Sequence, residues 1–340
     1  MVEPSHRTLG LGVVMLSGTL TASFPFPMKF SRAWRWENTW LIYATLALVI
    51  LPLSLAIWAM PHLFAFYASL PLRTLLLPAL FGFGWGIAQV TFGLAIARVG
   101  MAMAFAIVIG LSSLLGSVIP LAVFHPKALT GRPGAILLAS AVLLVWGLVL
   151  YARAGQERDR NPSAVNSSRR LFLHGLLLCI FTGCFGSMIN MGFVFGGKIA
   201  SRAMRDGISA ERATLCVWAV VLGAGYLPNL AYTLYLLQRN RSARVFQQCF
   251  LRENLLALAA AMLWLFGMLG YGVGASVMGT YGNSIGFAAC MTVLLLWSSA
   301  LGIFTGEWRV APLRARSRMR LGVTFITVSM LTLGFGSLLY

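Results

Sequence analysis

The sequence predicts an all-α integral membrane protein of ten transmembrane helices, built as a 5+5 inverted repeat. Three observations carry the prediction. Hydrophobic residues make up 59% of the 340-residue chain and charged residues 10%, where a soluble domain carries about 25%. With a mean hydropathy of +0.83, the chain lacks the charge to cover a water-facing surface. Ten apolar stretches divide evenly about a polar break in mid-chain. Finally, the run WGIAQVTFGLAIARVG at 85–100 returns in spacing as WLFGMLGYGVGASVMG at 264–279. Trp85 falls on Trp264, Phe92 on Tyr271, Gly93 on Gly272 and Gly100 on Gly279, all at one offset of 179 residues.

A helix needs about 20 apolar residues to cross the hydrocarbon. Such spans fall near 8–25, 39–60, 75–97, 101–124, 134–152, 171–195, 212–236, 254–275, 279–304 and 320–339. The opening MVEPSHR turns apolar with no small-residue cleavage site behind it, so the first span is read as part of the protein. The polar break ARAGQERDRNPSAVNSSRR at 152–170 separates a first repeat, 1–155, from a second, 171–340, with a linker at 156–170. Gly10 and Gly18 echo in Gly175 and Gly183 at an offset of 165; a longer loop near 196–212 widens the offset afterwards. Because five is odd, the two copies enter the membrane from opposite sides. This architecture is frequent among secondary transporters, whose substrate site lies near the midplane.

Basic residues give the orientation. With the N-terminus outside, the loops 26–38, 98–100, 153–170, 237–253 and 305–319, with Arg320 at the edge of the last, hold 18 of the 26 Lys and Arg residues. Positive-inside placement makes these loops cytoplasmic and both termini periplasmic in a bacterial inner membrane. The net charge of +18 and pI of 10.9 therefore read as attraction to anionic lipid, and nucleic acid is excluded as a partner.

Polar groups at membrane depth are costly, and each is a functional candidate. Gln89, Asn190, Asn229, Asn254 and Asn283 lie within or at the start of spans, and Lys198 ends the sixth. Amides donate and accept hydrogen bonds as sugar hydroxyls do. With the aromatics Phe92 and Tyr271 they suit a neutral polyol. The competing reading of each amide is an interhelical hydrogen bond, often worth under about 1 kcal/mol; Lys198 competes as an interface anchor. All eight carboxylates are in loops, at termini or at span ends. Glu37 and Glu211 open spans, where the helix dipole favours them. Glu253 has no counterpart in the first half and is the candidate for a proton-coupling group, with His174 behind it. No GxxxxGKS loop, HExxH motif or His/Asp cluster occurs, and the five cysteines form no CxxC pair. No metal, cofactor or catalytic residue is expected.

These residues bring out a resemblance. The segments PMKFSRAWRWENTW (27–40), GWGIAQVTFGLAIARVGMAMAFAIVIGLSSLLGSVIPL (84–121), RAG (153–155), NMGFVFGGKIA (190–200), PNLAY (228–232) and GEW (306–308) resemble the L-rhamnose–proton symporter family of the drug/metabolite transporter superfamily, nearly end to end. The resemblance implies ten helices, an inverted repeat, and uptake of a deoxy sugar with a proton. One stretch departs from it: TYGNSIGFAACM at 280–291 has Asn283 where the family pattern leads us to expect an acid, and Cys290 where it leads us to expect a His. The other reading is an exporter or uniporter of another small solute, without proton coupling.

Overall fold

In hydrocarbon every backbone N–H and C=O must find its partner within the protein, so a chain of this composition crosses as helices. The computed structural model describes residues 4–124, 132–158, 165–278 and 287–336, and among these there is no strand. Asn283 and the middle of the predicted linker lie outside the described residues. In chain order the helices are α1 (Pro4–Ser23), α2 (Trp36–Thr45), α3 (Leu51–Ala59), α4 (Leu63–Ala68), α5 (Leu72–Val99), α6 (Met101–Phe124) and α7 (Arg132–Arg158). There follow α8 (Val165–Gly186), α9 (Met188–Phe195), α10 (Gly197–Arg205), α11 (Ala210–Arg239), α12 (Phe250–Val277), α13 (Phe287–Phe304) and α14 (Leu313–Gly336).

Seven helical segments among the described residues are long and apolar enough to cross a membrane: Thr8–Phe30, Trp36–Ala59, Leu72–Val99, Gly134–Arg158, Arg170–Arg205, Ala210–Arg239 and Phe250–Gly274. Met103–Leu115 and Ala289–Phe304 are shorter apolar stretches. The protein is thus an all-α, multi-pass membrane protein.

Two of the expected spans are not single α-helices. The second contains a π-helical segment, Leu46–Ile50, closed by the Leu51 N–H reaching back five residues to the Leu46 carbonyl. Pro52 explains it: without an N–H it cannot bond the Leu48 carbonyl, and the turn before it widens. The sixth span breaks at Ser187, whose hydroxyl donates to the Cys184 carbonyl at 2.7 Å and competes with the helical ladder there.

The helices gather into two units. The first comprises Met1–Ala22, Thr91–Ser187 and Gly270–Tyr340; the second comprises Ser23–Val90 and Met188–Leu269. In the first unit, glycines let backbones touch. A Cβ on Gly10 would stand 2.8 Å from the Gly274 carbonyl oxygen, and one on Gly147 would stand 2.9 Å from that of Gly322. The α7–α14 pair is closed further by Ser329 donating to the Ser140 carbonyl at 2.6 Å. At the end of α7, Arg158 donates to the Val99 carbonyl (2.9 Å) and lies 5.0 Å over the Trp308 ring, while Glu157 pairs with Arg318. The end of α7 and the GEW segment thus meet at one charged cluster.

The second unit is built around α5 and α11. They cross so closely that a Cβ on Gly82 would lie 2.1 Å from the Val221 carbonyl oxygen, and one on Gly86 2.1 Å from that of Gly225. Small residues four apart are the usual device for such contact where lipid gives helices no hydrophobic drive to associate.

Candidate functional site

The buried carboxylates and side-chain amides among the described residues, Glu37, Asn38, Gln89, Asn229 and Glu253, all lie in the second unit. The first part of the site is an aromatic ladder. Trp36, Trp40 and Tyr43 follow one another at helical spacing on α2, so their rings share a face. Trp36 stacks on Trp40 (5.0 Å), Trp40 tilts onto Tyr43 (5.1 Å), and Tyr43 stacks on Phe24 (5.3 Å). Trp85 of α5 and Trp264 of α12 form a second stack at 5.7 Å.

Two amides meet this ladder and differ in what they spend. Asn229 is fully engaged. Its carbonyl accepts from Trp40 Nε1 at 2.8 Å, and its Nδ2 donates to the Gly86 carbonyl (3.2 Å) and to the Gly225 carbonyl (2.9 Å). It clamps α2, α5 and α11 together. Gln89, one turn beyond Gly86, is buried and stands beside the Tyr43 hydroxyl. That hydroxyl is itself buried and makes no hydrogen bond of good geometry. A buried polar group left unspent in a native structure calls for an explanation, and a polar ligand supplies one.

The clamp gives an immediate expectation. Asn229→Ala strands the Trp40 N–H in a buried site, which costs about 1–3 kcal/mol. Thermal unfolding in detergent should show the loss, and Trp40→Phe in the same background should recover part of it, because the stranded donor is gone.

The second part is a polar seam between the 26–38 segment and the 240–253 segment. Glu37, in the first turn of α2, is buried and accepts from Asn240 Nδ2 (2.9 Å) and Ser242 Oγ (2.7 Å). Asn38 donates to the Ser242 carbonyl (3.0 Å), and Trp34 Nε1 to the Gln248 carbonyl (3.0 Å). Glu253, 0% exposed, holds the consecutive N–H groups of Arg32 and Ala33 on one oxygen, each at 3.2 Å. Its other oxygen is buried and makes no hydrogen bond of good geometry. Arg252 donates to the Phe30 carbonyl (3.0 Å). The 240–249 turn bends through two non-glycine residues in left-handed conformation, Arg241 (φ 51°) and Cys249 (φ 46°). Such strain persists only where surrounding contacts over-determine it.

The other residues singled out from the sequence are dispersed. Asn190, on α9 of the second unit, is half-buried and engaged with a partner. Asn254 donates to the Phe250 carbonyl of its own helix at 2.8 Å. Lys198 is exposed on α10. Phe92 and Tyr271 belong to the first unit. There Phe92 packs edge-on against Phe105 at 4.8 Å, and Tyr271 packs beside Val14, Met278 and Cys290. Tyr43, Asn38, Asn240 and Ser242 were not singled out from the sequence. The aromatic stripe in WENTWLIY was the visible signal for Tyr43, but at helical spacing it looks the same as ordinary core. The seam residues gave none, because their partners are some 200 residues away.

No group of three or more His, Cys, Asp or Glu side chains among the described residues is placed to hold a metal ion.

Comparison with known proteins places similarity along nearly the whole chain. The family described as L-rhamnose-proton symport protein matches residues 5–338. The L-rhamnose-proton symporter of Cronobacter sakazakii is 26% identical over 338 residues, covering 97% of each chain. That of Citrobacter koseri is 25% identical over 337 residues, 97% of this chain and 98% of its own. That of Klebsiella pneumoniae subsp. pneumoniae is 25% identical over 338 residues, 97% of this chain and 98% of its own.

Proposed function

The chain belongs to the L-rhamnose-proton symport protein family, and from that premise we propose that it carries a small neutral sugar of the L-rhamnose kind across the bacterial inner membrane with a proton, by alternating access. The observation that carries the sugar reading is the buried pair of Tyr43 and Gln89. The Tyr43 hydroxyl, buried without a hydrogen bond of good geometry, stands beside the Gln89 amide among aromatic faces, the chemistry that matches hydroxyls on one side of a pyranose and C–H groups on the other. Glu253 is the proton-carrying candidate, through its second oxygen.

We read the architecture as ten helices in two inverted repeats, with α6, α13 and α14 completing the set and both termini periplasmic. Recurrence of contacts at the two sequence offsets supports the repeat. Gly10 lies against Met278 and Gly175 against Val99; Gly18 lies against Cys290 and Gly183 against Leu111. In each pair of contacts the first members are 165 apart and the second members 179. The segments of the two units obey the same offsets: Ser23 and Met188 begin stretches 165 apart, and Thr91 and Gly270 begin stretches 179 apart. Trp85 and Trp264, equivalent at 179, stack on each other, as equivalents beside a two-fold axis do.

The test is uptake of labelled L-rhamnose into proteoliposomes under an inward proton gradient. Tyr43→Phe makes it specific. Removing a hydroxyl that makes no hydrogen bond of good geometry within the protein leaves the thermal midpoint little changed, whereas loss of one hydrogen bond to the sugar, about 1 kcal/mol, raises KM roughly five- to tenfold. Unchanged KM in Tyr43→Phe and in Gln89→Leu would move the sugar elsewhere. Counterflow without gradient-driven uptake would mark a uniporter.

A further inference from the structure

Eight basic residues lie outside the loops read as cytoplasmic, and four of them, Lys198, Arg202, Arg205 and Arg212, fall within one stretch of fifteen residues. Orientation by positive charge does not account for a basic cluster on that side. Its placement suggests another role. The membrane-crossing segment that ends in α10 runs from Arg170 to Arg205, 36 residues. Its last turns carry Lys198, Arg202 and Arg205 on an exposed face, and charges of that kind are costly in hydrocarbon, so these turns lie at the headgroup level.

There α10 divides sharply. Ile199 and Ala203, four apart, are fully buried. Lys198, Arg202 and Arg205, spaced four and three, form one exposed stripe. Arg202 pairs with Asp206 at 3.5 Å; Lys198 and Arg205 have no carboxylate partner among the described residues. Large apolar side chains lie open on α10 itself, Met204 (43% exposed), and on α3 and α4, Trp58 (64%) and Phe64 (65%), the two helices whose Ala56 and Leu63 share a core cluster with Ile199 and Ala203. Arg212 lies 4.7 Å over the Trp58 ring. A cationic stripe with an exposed aromatic collar is what an interfacial helix presents to a bilayer.

We propose that the α10 stripe binds the phosphodiester headgroup of an anionic phospholipid, with Lys198 and Arg205 as its charge contacts and Trp58 and Phe64 against the upper acyl region. Lys198 then serves lipid and not sugar. The inference stands independently of the transported solute. Surface attraction of about 1 kcal/mol per basic residue corresponds, for two unpartnered cations, to at least about tenfold preference over a zwitterionic lipid.

The experiment titrates the purified full chain in detergent with phosphatidylglycerol, phosphatidylcholine or inorganic phosphate, reading the thermal midpoint. Phosphatidylglycerol should reach half its stabilising effect at about one-tenth the phosphatidylcholine concentration, and inorganic phosphate should do nothing at equal concentration. Lys198→Gln with Arg205→Gln should erase the difference between the lipids, while Arg241→Gln with Arg244→Gln should keep it. Raising the salt tenfold on the wild type should also collapse it, a readout that needs no variant to fold. Equal response of the wild type to both lipids, or a preference surviving Lys198→Gln/Arg205→Gln or high salt, overturns the proposal.

Discussion

Gly86→Ala will destroy the α5–α11 crossing, while Gly223→Ala, on the same stretch of α11, will leave the protein intact. The added Cβ on Gly86 would stand 2.1 Å from the Gly225 carbonyl oxygen, whereas one on Gly223 meets nothing within 4 Å. The atom in the way is backbone, so no rotamer change relieves the clash and the helices must part by more than an ångström. Parting them pulls the Gly86 carbonyl from Asn229 and with it the anchor of Trp40. Overpacking alone costs about 1–3 kcal/mol, and the broken clamp adds about 1–3 kcal/mol. Together these reach the scale of a protein's whole stability, about 5–15 kcal/mol. Size-exclusion profiles and thermal unfolding after detergent extraction check it: Gly86→Ala should yield little monodisperse protein. Gly223→Ala should match the wild type or gain up to about 1 kcal/mol from helix propensity.

Glu253→Gln will abolish proton-driven accumulation and preserve exchange. The glutamine carbonyl oxygen can still accept the Arg32 and Ala33 N–H groups that the carboxylate holds at 3.2 Å, so the 31–35 loop stays in place. What is lost is the second oxygen, which makes no hydrogen bond of good geometry although the Ser31 hydroxyl stands beside the carboxylate, and with it the position proposed to load and release the proton. One pH unit of gradient is worth about 1.4 kcal/mol, enough for about tenfold accumulation by one-to-one symport. In Glu253→Gln the ratio should fall to one while sugar counterflow continues. Glu253→Ala separates position from proton: it strands two backbone donors and should lose thermal stability as well as transport. Accumulation surviving in Glu253→Gln would leave Glu253 as a latch on the 31–35 loop and place the proton elsewhere.

How much of this was legible in the sequence follows from the range of each interaction. Helical spans were legible because lipid imposes one solution on the backbone, and the pattern is local. Close helix contacts were partly legible: Gly10, Gly18, Gly175 and Gly183 stood out by spacing, and each does meet a neighbouring helix. Gly272 stood out equally by matching Gly93, yet a Cβ there would meet nothing; spacing does not say which face a helix turns inward. Asn229 was visible as polarity at depth, but an amide that clamps three helices and one that holds a sugar look alike until their partners are known. Tyr43 was hidden the opposite way, as one aromatic in a stripe that reads as core. Pro52 marked a disturbance in the second span, although the widened turn before it depends on how the helix accommodates the missing donor.

The seam also has a history in time. Glu37 is made 203 residues before Asn240 and 205 before Ser242. At synthesis rates of about 5–20 residues per second, the carboxylate that will end fully enclosed waits roughly 10–40 seconds for the groups that neutralise its cost. During that interval Glu37, on a loop read as cytoplasmic, stays in water, and the 31–38 turn has no partner to close on. The second unit, whose last stretch ends at Leu269, therefore closes only when most of the chain has left the ribosome, and a nascent chain arrested before Asn240 should remain open to protease at the 31–38 turn.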